Sequence, residues 1–189
     1  SDIVPEWDWR NRHGANNPES PYYNGENGWV TSIKSQIEPN SCANCWVFGP
    51  LGAVELLANI YYNQGLNLDL SEQEVTSCKG YGDSNEDREQ RGCQTGLASQ
   101  TVSYLRSRGV VNQDCFPNQN IDSRGCNGYE CSFQPVECNQ ICPDPDYRIG
   151  IERTASVLSG YGNRVYDEIK KWLIEEGTFN VNVGSWNHN

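Results

Sequence analysis

From Cys45 onward, apolar residues recur at near-helical spacing. Trp46, Val47, Leu51, Val54 and Leu57 share one face, with the helix formers Ala53, Glu55, Leu56 and Ala58 around them. The pattern predicts a helix over 45–63, ending near Asn63-Gln64-Gly65, where the glycine supplies a stop. Ser71, followed by Glu74, forms a capping box that opens a second helix running to about Cys78. A third helix is expected over Gly96–Arg108, with Leu97, Val102 and Leu105 on one face and Gly109 as its stop. A fourth spans Asn163–Gly177, with Val165, Ile169, Trp172 and Leu173 as its apolar stripe. Tyr147–Ile151 reads as a strand, and Phe179–Val183 alternates apolar and polar as a half-buried strand does.

The intervening stretches lack such periodicity. Residues 1–30 are turn-rich, and His13 within them reads as a surface histidine. Residues 79–95 are polar. Asp83, Asn85 and Asp87 alternate there like the first ligands of a calcium loop. Arg88 stands where such a loop needs glycine, however, and Gln94 where it needs glutamate, so a solvated acidic loop is expected, with no metal and no cofactor. Residues 112–146 carry Cys115, Cys126, Cys131, Cys138 and Cys142 among several prolines, and read as an insertion in which disulfides substitute for a core.

Composition narrows the class. At 189 residues, one two-lobed domain or two small ones can bury roughly 70% of the surface that the unfolded chain exposes. No apolar run approaches the ~20 residues of a membrane span. No basic start followed by an apolar segment is present, so a signal peptide is expected to have been removed or never included. A net charge of −11 argues against nucleic acid as a partner, because phosphate neutralisation needs Lys and Arg.

Nine cysteines without paired zinc-like spacing point to an oxidising compartment, extracellular or secreted. The lone Cys42-x-x-Cys45 has no βαβ pattern around it, which argues against a thioredoxin-like redox site. An odd count leaves four bridges and one free thiol, and Cys45 is where the pattern puts it. A thiol at a helix N-terminus faces unpaired N–H groups and the positive end of the macrodipole, which favour the nucleophilic thiolate. Those N–H groups can also face the oxyanion of an attacked carbonyl. The plainer reading is a disulfide cysteine that opens a core helix.

Gln36, Cys42, Cys45 and Trp46 together resemble the nucleophile region of the papain family of cysteine peptidases, which runs Gln, a short loop, Cys-Gly-Ser-Cys-Trp and a long helix. His188 lies about 140 residues after Cys45, within the interval of about 130–150 that accompanies this signature. Asn187-His188 resembles the segment around the family's general base. Ser71–Glu74 resembles its second-helix motif, and Cys93–Gly96 its Cys-Asn-Gly-Gly stretch. The start, Ser1–Arg10, resembles the family's mature N-terminus after loss of a prosegment. Ala43, Asn44 and Ile37 depart from the pattern, the Gln36–Cys45 gap is longer than usual, and Pro50 interrupts the helix.

The resemblance implies a papain-like α+β fold, disulfide-rich, over residues 1–189. A mainly helical lobe would occupy 1–111 with the nucleophile helix at 45–63, followed by the Cys-rich insertion at 112–146. The start of a shortened β-rich lobe would occupy 147–189. It implies Cys45 as nucleophile, His188 as acid and base, and Gln36 with the Cys45 N–H as oxyanion site. Gly96 and Trp46 would border a peptide or protein substrate. It pairs Cys42 with Cys93 and Cys78 with Cys126, and leaves Cys115, Cys131, Cys138 and Cys142 open. The Asn that orients the family's histidine would have to come from further chain segments. The alternative is a catalytically silent module that binds protein or serves structurally; a weaker one is a disulfide-rich adhesion domain.

Overall fold

A computed structural model describes residues 6–21, 23, 25–79, 92–93, 96–128, 130–154 and 163–175; for His13 and residues 163–166 only the backbone is described. The expectations for His188, for Asp83, Asn85, Asp87, Arg88 and Gln94, for the Phe179–Val183 strand and for the His13 side chain therefore lie outside the described residues.

Helix α1 is Cys45–Tyr62, α2 is Glu72–Cys78, α3 is Ala98–Ser107 and α4 is Asn163–Glu175. Strand β1 (Val110–Val111) pairs antiparallel with β2 (Arg148–Ile149), in the register Val110↔Ile149 and Val111↔Arg148. The other edge of β1 meets the chain entering α2: Leu70 bridges Asn112, and the Ser71 N–H donates to the Val111 carbonyl at 2.9 Å. Of the strand expected over Tyr147–Ile151, Arg148–Ile149 forms, and its partner follows directly from α3.

Helix ends follow local chemistry, with two corrections. The α1 stop is Asn63, in the left-handed region at φ 49°, rather than Gly65. Asn tolerates that conformation because its short polar side chain bonds locally. Ser71 caps α2 by accepting from the Glu74 N–H at 3.0 Å, but Glu74 does not complete the box. Its carboxylate is buried and accepts instead from the Tyr104 hydroxyl (2.9 Å), the Val111 N–H (2.8 Å) and Arg148 (2.7 Å). One side chain thereby ties α2 to α3, β1 and β2. Burial, and then the Glu74 charge, pushes the Tyr104 phenol well above its ordinary range, so it stays neutral and donates.

The core lies where α1, α2, α3 and β1 meet, around Val47, Leu51, Val75, Leu105 and Val110. Phe116, Ile121 and Val136 are buried in the same core, at 2%, 8% and 2% exposure. Residues 112–146 are therefore not held by bridges alone, because three apolar side chains anchor the segment. On α3 the inward residues are Ala98, Thr101, Tyr104 and Leu105, whereas Leu97 is exposed. Leu97 sits at the N-cap with extended backbone, before the helical periodicity begins, and this takes it off the predicted stripe.

All nine cysteines are accounted for. The bridges are Cys42–Cys93, Cys78–Cys138, Cys115–Cys142 and Cys126–Cys131, and Cys45 is free. The expected Cys78–Cys126 pair does not form. Asn127 and Glu130 exchange backbone hydrogen bonds of 2.8 and 3.2 Å, a tight reversal that brings Cys126 and Cys131 to a Cα separation of 3.9 Å. Cys78, at the end of α2, meets the 3-10 turn Cys138–Gln140 instead. Four disulfides place the protein in an oxidising compartment.

Candidate active site

Cys45 is the first residue of α1 and its thiol is exposed. Asn44, at the N-cap, accepts the first helical hydrogen bonds on its carbonyl, from Val47 at 2.8 Å and Phe48 at 3.3 Å. The N–H groups of Cys45 and Trp46 have no acceptor within the helix, by helix geometry. No acidic residue stands in the first turn and the Asn44 side chain makes no cap, so the positive helix end is left unneutralised beside the thiol. The Asn44 side chain is fully buried and donates to Thr76 on α2 at 3.2 Å, fixing the turn from below.

Gln36 stands at the base of the loop that leads to Cys45. Its carbonyl accepts from the Cys42 N–H at 3.3 Å, and its Nε2 donates to the Cys42 carbonyl at 3.1 Å. The extra residues between them are thus closed into a loop rather than spent displacing Gln36. The amide nitrogen carries two hydrogens and this bond uses one, so Gln36 keeps a donor.

A half-buried cation braces the start of the loop. Lys34 reaches Glu55 (2.7 Å), Asp69 (2.7 Å), Glu72 (2.8 Å) and the Leu70 carbonyl (2.9 Å). Burial disfavours its charge, but the Glu72 and Glu55 carboxylates outweigh that and push its pKa up. Glu55, fully buried on α1, also accepts from the Thr31 hydroxyl at 2.9 Å and the Leu70 N–H at 2.7 Å. Three carboxylates around one ammonium leave a surplus of negative charge. Within this cluster the Glu72 Oε2 has no hydrogen-bond partner, and burial pushes the Glu72 pKa up to about 7.

Across from the loop, the Cys42–Cys93 bridge and an Ala43 N–H to Cys93 carbonyl bond of 2.9 Å hold the segment that leads to Gly96. Asp122, buried beneath, accepts from the Cys93 N–H at 3.3 Å and the Cys126 N–H at 3.2 Å, and pairs with Arg124. Trp46 joins both sides. Its indole N–H donates to the Gly92 carbonyl at 3.3 Å, and the ring lies against Gly96.

Trp46 is only 5% exposed. The ring is consumed in holding the Gly92–Gly96 side, and it is Gly96 that remains half-exposed. The structure therefore brings Cys45, Trp46, Gly96 and the Cys42–Cys93 bridge into one unit and ties Gln36 to Cys42. His188 lies outside the described residues. Sequence reasoning missed Lys34, Glu55, Glu72, Asn44 and Thr101. For Thr101 a signal existed: a hydroxyl on the inward face of α3, in a chain whose α1 contains a proline.

An exposed, unbridged cysteine thus stands on the first turn of a long helix, flanked by a glutamine loop and a disulfide-held glycine segment. The family model for "Papain family cysteine protease" matches residues 5–188. The chain belongs to the papain family of cysteine proteases, and its α+β, disulfide-rich fold is papain-like. It is 32% identical to pro-cathepsin H of Bos taurus over 128 residues, covering 67% of this chain and 33% of that protein. To the viral cathepsin of Cydia pomonella granulosis virus it is 33% identical over 122 residues, covering 64% of this chain and 28% of that protein. The matches thus span about a third of those relatives' length. Among solved structures, the cysteine protease of Carica candamarcensis in complex with E-64 is similar at a TM-score of 0.49 and 22% identity, over 77% of this chain and 49% of that one.

Proposed function

We propose that this chain carries the nucleophile side of a cysteine endopeptidase that hydrolyses peptide bonds in peptide or protein substrates, and that the protein is secreted. In this reading the Cys45 thiolate adds to the scissile carbonyl carbon. The oxyanion that forms is met by the Cys45 N–H and the Gln36 amide. His188, having taken the thiol proton, returns it to the leaving amine, and a thioester to Cys45 remains. Water, deprotonated by the same histidine, then releases the acid and regenerates the thiol. Gly96 lines the path of the extended substrate, and an orienting Asn comes from further chain.

The observation that carries this reading is the state of Cys45: the one unbridged cysteine of nine, exposed, at the start of α1. Pro50, expected to interrupt the helix, does not: α1 runs through it from Cys45 to Tyr62. The test is hydrolysis of unstructured protein substrates by wild type, Cys45→Ser and His188→Ala, alongside peptide mapping of a thiol alkylated without reduction. Label at Cys45 and loss of hydrolysis in both variants is expected. Hydrolysis that survives Cys45→Ser would overturn the proposal.

A further inference from the structure

Pro50 lies inside α1 and is buried. Proline has no N–H, and its ring crowds the carbonyl four residues earlier, which a helix would otherwise pair with the missing donor. In this chain that carbonyl belongs to Trp46, the residue after Cys45. It is not left bare: the Thr101 hydroxyl on α3 donates to it at 2.9 Å. Thr101 is fully buried, beside Ala98 and Leu105 on the inward face. A buried hydroxyl needs a partner of its own, so the two deficits cancel.

We propose that Thr101 is a positioning residue for Cys45: it replaces the helical hydrogen bond that Pro50 removes, and so fixes the first turn of α1 against α3. This rests on the reading of Cys45 as nucleophile.

Geometry supports a role for Thr101 beyond stability. Trp46 is held at both ends, its carbonyl by Thr101 and its indole N–H by the Gly92 carbonyl at 3.3 Å. The helix that supplies Thr101 starts immediately after Gly96 and Leu97, and Gln100 accepts from the Leu97 N–H at 2.8 Å. The nucleophile turn and the glycine segment facing it are therefore registered to one short helix. Without the Thr101 bond, the Trp46 carbonyl would be buried and unpaired, and the turn would have to rotate or open to find another donor. Either motion moves the Cys45 N–H and thiol together.

The test is a double-mutant cycle read by thermal unfolding and by the rate at which iodoacetamide alkylates the native free thiol. Neither readout requires peptidase activity, so failure here is distinct from failure of the peptidase reading. Thr101→Val should lower the melting temperature and change the alkylation rate several-fold, while Thr101→Ser, which keeps the hydroxyl, should stay near wild type. In Pro50→Ala, where residue 50 regains its N–H, the effect of Thr101→Val should largely disappear. If Thr101→Val does not fold, Pro50→Ala with Thr101→Val should fold; its failure to do so overturns the proposal. Equal effects of Thr101→Val in both backgrounds, or an alkylation rate that never changes, would overturn it as well.

Discussion

Gly96 lies against the indole of Trp46 so closely that a Cβ on it would sit 2.2 Å from the ring atoms Cδ2 and Cε2. The ring cannot retreat, being 5% exposed and anchored to the Gly92 carbonyl. The need for glycine at this position is thus already met by packing within the fold. Gly96→Ala should destabilise the protein by about 1–3 kcal/mol, the usual range for overpacking. Denaturant unfolding checks the stability, and native alkylation of Cys45 should change with it, because Trp46 carries the displacement into the first turn of α1.

Lys34 is the cation on which Glu55, Glu72 and Asp69 converge. Removing it leaves two carboxylates, 0% and 1% exposed, without a counter-charge. Lys34→Met is expected to cost about 3–5 kcal/mol, the penalty for breaking a buried pair from one side. Unfolding in urea at neutral pH measures this. Lys34→Met combined with Glu72→Gln should recover part of the loss, since fewer charges are stranded.

The same cluster predicts a pH dependence. Burial raises the Glu72 carboxyl from an ordinary 4.5 to about 7, against the pull of Lys34. Between those values the folded state holds a proton that the unfolded state releases. Its contribution to stability is complete below about pH 4.5 and fades as pH rises through about 7. The difference in melting temperature between wild type and Glu72→Gln should therefore vary across that window and flatten outside it. A difference that is constant from pH 4.5 to 7 would mean that Glu72 titrates normally.

Gln36→Ala should lower kcat by about 10²–10³ with a smaller change in KM, because an oxyanion donor acts mainly in the transition state. The variant also removes the Nε2 bond to the Cys42 carbonyl. Gln36→Glu, which keeps the size of the side chain but has no amide hydrogens to give, should lose turnover similarly. Both variants lose the bond to the Cys42 carbonyl along with the donor, so steady-state kinetics are read beside thermal unfolding, which reports the loosened loop.

Much of the helical frame was legible in the chain. Apolar spacing located α1, and the Ser71 cap signal located α2, each to within a residue or two, and glycine marked the end of α3. An odd cysteine count singled out one free thiol, since bridges consume cysteines in pairs, and the resemblance supplied Cys42–Cys93. The helices and the free thiol depend on neighbours in sequence or on arithmetic, and neither needs a fold.

Only the tertiary structure decided the rest. Glu55, Asn59 and Thr101 are polar and stand outside the apolar stripes marked by the sequence, yet each is buried because its partner comes from a distant segment: Thr31, Lys34 and Leu70 for Glu55, Trp29 and Leu66 for Asn59, and Trp46 for Thr101. Hydrophobic periodicity cannot see a partner that lies elsewhere in the chain. Cys78 pairs with Cys138 rather than Cys126, and the Asn127–Glu130 reversal places Cys131 beside Cys126. Pro50, a helix breaker by local rules, stays within α1 because a hydroxyl from α3 supplies what it lacks. Local physics set where helices begin and end; which polar groups could be buried depended on what the fold brought to meet them.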